Sequence, residues 1–143
     1  MGRIVQTGDT AAKQRRSYIR SCAEVLGLLA TRPRFGPEEQ DMAAFMVFCL
    51  RGIYKTIDKS AEAWDDRNYW KKAEGLRDKW SWSRRVADEL EEAILADKWY
   101  KVTDQLIALI PHFQDVSVKT RKRDADWWGG ALAALRREKA TGL

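Results

Sequence analysis

From Tyr69 to Ile94 the chain sets Tyr69, Ala73, Leu76, Trp80, Ser83, Ala87, Leu90 and Ile94 at steps that alternate strictly between four and three residues. This is a heptad seam, the pattern of a helix packed nearly parallel to helical neighbours. Lys71, Lys72, Arg77, Asp78, Arg84, Asp88, Glu91 and Glu92 fill the opposite face. The rest of the chain agrees with it. Three prolines occur in 143 residues, and no stretch alternates apolar and polar in the period of a strand. The expected fold is all-α: a helical bundle of four main helices plus a short C-terminal helix docked by a basic strap. Without a repeat or linker to divide it, residues 1–143 are expected to form a single domain, with 1–10 and 136–143 as flexible ends.

The first helix is expected over Ala11–Ala30, capped by Asp9 or Thr10, with Ile19, Cys22, Val25, Leu26 and Leu29 inward. Pro37 suits the first position of a second helix, and Glu38, Glu39 and Asp41 lie near the positive end of its dipole. That helix reaches Trp64 through Met42, Phe45, Met46, Cys49, Ile53, Ile57 and Ala61, and its run from Met42 to Leu50 predicts the deepest burial in the chain. Asp65–Asn68 reads as a corner before the seam helix. Asp97 is expected to cap a shorter fourth helix with Val102, Leu106, Leu109 and Phe113 inward, ended or kinked by Pro111. Val116–Arg123 has no helical stripe and reads as an exposed strap. Asp124 or Asp126 can cap a last helix with Trp128, Ala131, Leu132 and Leu135 on its apolar edge, although Gly129 and Gly130 weaken it by roughly 1 kcal/mol each.

Charge is unevenly spread. Met1–Phe35 holds seven basic residues against Asp9 and Glu24; Gly36–Asp115 leans acidic, twelve basic against sixteen acidic; Val116–Leu143 holds seven basic against three acidic. Two basic ends flank an acidic-leaning middle, which points to a polyanionic partner. Lys13, Arg15, Arg16 and Arg20 crowd the first half of the first helix, where the dipole disfavours cations, so stability does not explain them. The longest apolar run is far below the ~20 residues needed to span a bilayer. Met1–Thr10 has no apolar core of a signal peptide, and Gln6 stands where a myristoylation motif wants Ser or Thr. A cytoplasmic protein with no membrane partner is expected.

Residues for chemistry are few. His112 is the sole histidine, and Leu109 stands where a Glu-x-x-His metal motif would need its glutamate. Cys22 and Cys49 have no CxxC spacing and fall inside apolar patterns, so reduced buried thiols are favoured over a disulfide or a nucleophile. Glu62, Asp65 and Asp66 could gather a Mg²⁺, but capping and solvated charge account for them better. The expectation is a non-enzyme without metal or cofactor.

Seven tryptophans are the unusual feature. Trp64 and Trp80 fit the apolar stripes and are expected in the core. Trp70 and Trp82 do not; with Arg85 beside Trp82 they form either a stacking surface for a partner or a cover for the outer seam. At the C-terminal end Lys119, Arg121, Lys122 and Arg123 precede Trp127 and Trp128. Cations there can contact phosphates and the indoles can stack on unpaired bases, though a solvated basic tail has the same composition.

Ala43-Ala44-Phe45, Thr56-Ile57-Asp58, Ala63-Trp64, Tyr69-Trp70, Lys72-Ala73, Arg77 and Trp80-Ser81-Trp82, followed by the basic stretch and Trp127–Gly130, carry a resemblance. The chain resembles a family of small all-helical bacterial proteins of unassigned function, which implies a helical domain and transfers no activity. The leading functional expectation is a non-enzymatic accessory protein contacting nucleic acid or a nucleoprotein assembly. Its contacts would come from Lys13, Arg15, Arg16, Arg20, Lys119, Arg121, Lys122, Arg123, Trp127 and Trp128, with RNA or another single strand as the partner. The alternative is a protein–protein adaptor using Trp70, Trp82 and Arg85.

Overall fold

Thr10 opens the first helix, its hydroxyl accepting the Lys13 N–H at 3.2 Å and satisfying one of the donors a helix start leaves unpaired. The computed structural model describes residues 10–141, so the alternative cap, Asp9, lies outside the described residues. Helix α1 (Ala11–Leu29) runs against α2 (Pro37–Asp66), and α2 against α3 (Trp70–Leu95). Helix α4 (Trp99–Leu109) passes into a 3₁₀ turn at Ile110–Phe113, where Pro111 removes a helical donor. A non-helical strap then leads to α5 (Ala125–Trp128) and α6 (Ala131–Ala140).

Helix α2 is the axis of the molecule. Met42, Ala43, Ala44, Phe45, Met46, Val47, Cys49 and Leu50 are wholly buried, because α1, α3, α5 and α6 all pack on it. A helix apolar on every side needs cover on every side, and the run from Met42 to Leu50 signals this. Tyr18 of α1 lies flat over Gly52, where a Cβ would run into the ring, so glycine sets the closeness of the two helices there.

The seam of α3 is buried at Ala73, Ser83, Ala87, Leu90 and Ile94 and half-buried at Leu76 and Trp80. Ser83 satisfies its buried hydroxyl by donating to the Trp80 carbonyl at 2.6 Å. Toward the α2–α3 turn the seam opens. Tyr69 and Trp70 are exposed and Trp64, expected in the core, is only half-buried, since at that end Ala61 and Ala73 alone are buried. Ion pairs Arg77–Asp65 (2.7 Å) and Arg84–Asp58 (3.1 Å) link the two helices there instead.

Two expectations about helix ends change. Asp97 does not cap α4; with φ of 55° it closes α3 in the left-handed region, and Lys98 precedes α4. The single last helix is two. Asp124 caps α5 by accepting the Asp126 N–H at 3.0 Å, and Gly130, at φ of 80°, turns the chain into α6. The cap of α6 comes from another helix: Asp41 of α2 accepts the N–H groups of Leu132 (3.0 Å) and Gly130 (3.4 Å). Ala131, Leu132 and Leu135 are buried, and Glu138 pairs with Arg51 at 2.8 Å. No described helix is long and apolar enough to cross a membrane.

A candidate polyanion-binding cleft

The two basic ends of the sequence meet. The strap lies beside the first half of α1, and between them opens a cleft of about 650 Å³ lined by Lys13, Arg16, Arg20, Lys122, Arg123 and Trp127, with Ser17, Ile19 and Val116. None of these lining residues is acidic. Residues about a hundred positions apart thus form one basic wall with an indole in it.

A buried clasp holds the strap in place. Ser17, Ser21 and Glu24 share one stripe of α1, and Arg123 docks on all three. Its Nη1 donates to Glu24 Oε2 at 2.6 Å, its Nε to Ser21 Oγ at 3.0 Å and its Nη2 to the Ser17 carbonyl at 3.2 Å. Glu24 Oε1 also accepts the Lys122 N–H at 2.5 Å and the Arg123 N–H at 3.4 Å. Both side chains are almost fully withdrawn from water, a placement tolerable only with this degree of pairing. The Arg123 guanidinium also stands 4.9 Å from the Trp127 ring centroid, which fixes the half-buried indole at the cleft wall.

Several expected contact residues therefore have other tasks. Arg123 lines the cleft, but its charge is matched by Glu24. Arg15 turns away from the cleft to donate to the Thr56 carbonyl (3.2 Å) and Ser60 Oγ (3.1 Å) of α2; burial, then the neighbouring Arg16, lowers its pKa. Trp128 is 3% exposed in the core, its indole N–H directed to Glu38 at 3.4 Å, and it has no face to offer a base. Lys119 and Arg121 are exposed on the strap outside the cleft. Arg20 lines the cleft while its Nε is buried without an acceptor among the described residues.

The second expected surface does not form one patch. Trp70 is 59% exposed, with Lys71 Nζ 5.7 Å from its ring centroid. Trp82 is half-buried; it stacks on His112 at 3.8 Å with 17° between the planes and meets Phe113 edge-on, so it covers the seam. Arg85 remains exposed, loosely paired with Glu89 at 3.5 Å. Burial, and then Arg85, lowers the pKa of His112.

Sequence reasoning passed over Glu24, counting it as charge alone. Its spacing from Ser17 and Ser21, four and then three, was the available sign of a polar stripe needing a buried partner. Cys22 and Cys49 are buried and free, and burial together with a hydrogen bond to Cys49 pushes the Cys22 thiol well up. Among the described residues no group of three or more His, Cys, Asp or Glu is placed to hold a metal ion. Asp65 of the acidic corner is paired with Arg77. No protein-family model matches the chain, and neither a curated protein nor a solved structure shows similarity to it.

Proposed function

We propose that this chain is a non-enzymatic accessory protein that contacts single-stranded nucleic acid, alone or within a nucleoprotein assembly, through the cleft between α1 and the strap. One observation carries this reading: two distant basic segments line one cleft with a tryptophan and, among the described residues, no acidic side chain. Like charges that converge repel one another, and Arg16, Arg20 and Lys122 bring three of them to one cleft, which burdens the fold unless an anion is bound. An indole beside them suits an unpaired base, which presents a face that duplex stacking would hide.

The test is a titration of labelled single-stranded RNA at several salt concentrations. With about three phosphates neutralised, log affinity should fall against log salt with a slope of roughly −2. Replacing Arg16, Arg20 and Lys122 by Ala should flatten that slope, and Trp127→Ala should weaken binding by ~1–3 kcal/mol. Equal binding by the wild type and the triple variant would remove this function.

The exposed pair Tyr69 and Trp70 at the α2–α3 turn supports a second reading, a protein adaptor. Such an apolar contact would persist at salt concentrations that strip phosphate contacts.

A further inference from the structure

The cleft gathers more positive charge than the middle of a strand would neutralise. Its volume, about 650 Å³, falls within the range of small-molecule sites. Arg16, Arg20 and Lys122 converge on it, with Lys13 at the same wall. A nucleotide inside a strand brings a single diester charge to such a space. A terminal phosphate brings close to two charges and three strong acceptor oxygens, and a polyphosphate more. Arg20 adds a geometric reason, since its Nε is shielded from water yet has no acceptor among the described residues. A guanidinium in that state gains by moving onto a tetrahedral oxyanion, which it can grip with two parallel N–H groups.

Resting on the nucleic-acid reading above, we propose that the cleft is specific for a nucleotide bearing a terminal phosphate. That group is supplied either by the phosphorylated end of a strand or by a free nucleotide. The phosphate lies among Arg16, Arg20 and Lys122, and the base lies along Trp127. Arg123 does not bind the phosphate: its charge is matched by Glu24, and it serves to hold Trp127.

The experiment uses the full chain and one short RNA sequence in three forms: with a 5′-phosphate, with a 3′-phosphate, and with hydroxyls at both ends. Adenosine and AMP serve as competitors. One phosphorylated form should bind at least about tenfold more tightly than the hydroxyl form, and AMP but not adenosine should displace it. Displacement by AMP at concentrations near its own Kd would identify a free nucleotide as a sufficient ligand; displacement only in large excess would identify the strand end. Arg20→Ala should abolish the preference, and Arg16→Ala, at a more exposed position, provides the same comparison should Arg20→Ala fail to fold. Equal affinity for all three strands overturns the terminal-phosphate inference and leaves single-strand binding standing. No binding of any strand overturns both.

Discussion

Helix α2 and the strap are held by opposite means. Around α2, Met42 to Leu50 is enclosed by apolar side chains from four helices, and its stabilisation scales with the area removed from water. The strap contributes little apolar area; one carboxylate, Glu24, collects both its backbone N–H groups and its arginine. A core held by area loses stability in proportion to what is cut away. A clasp held by one buried ion pair fails at a single residue, and the failure stays local. Lys122 and Arg123 of the candidate binding wall lie on the second kind of structure, whereas Arg16 and Arg20 stand on α1, which packs against α2.

The sharpest test of this contrast is Phe45→Ala, which should cost about 3–5 kcal/mol in chemical denaturation and lower the stability of the whole chain as one transition. A loss confined to one helix would show that α2 is not the axis of a single cooperative unit. Glu24→Ala should cost about 1–3 kcal/mol, less than breaking a rigidly enclosed pair, because the strap can release Arg123 to water. Limited trypsin digestion should then cut at Lys119–Arg123 well before the helices; cleavage at the wild-type rate would mean that the clasp is not what holds the strap. Gly52→Ala should cost toward the low end of ~1–3 kcal/mol, since the Tyr18 ring it strikes is only half-buried and can shift.

The smallest effect is expected at His112. Its folded pKa lies below the ordinary histidine value, through burial and then Arg85, so the folded state disfavours the imidazolium. The associated stability is complete above the ordinary histidine pKa of ~6.5 and is lost as pH falls through the depressed folded value. The ring is largely exposed, so acidifying from about pH 7.5 to 5 should lower Tm through this group by only about 1 °C. Comparison with His112→Gln isolates it; an identical pH profile in that variant would mean that His112 titrates as it does in the unfolded chain.

Individual residues show why some of this was readable in advance. Arg15 stands four residues before Ile19, in register with Cys22 and Leu26, so its inward turn follows from the stripe that places those residues inside. Trp128 likewise belongs to the apolar edge with Ala131, Leu132 and Leu135, and packing claimed it while Trp127 remained at the cleft. Adjacent helical residues point about 100° apart, which here sends Arg15 to α2 and Arg16 to the cleft, and Trp128 to the core while Trp127 stays at the wall. Trp82 had no such guide: its partners, His112 and Phe113, lie on a turn thirty residues later. The Asp41 cap of α6 was hidden too, because its place near the positive end of the α2 dipole already gave that aspartate a local explanation.

The sequence by itself determined the four main helices, their order and the identity of the central one, because periodicity and continuous apolar runs are local properties that burial must satisfy. Only the tertiary structure decided which charges meet. Docking the strap on α1 brought Lys122 beside Arg16 and Arg20, enclosed Arg123 against Glu24 and gave Trp127 its place in the wall. Those are pairings across a hundred residues of chain. No spacing encodes them, since they depend on where the packed helices leave the strap to run.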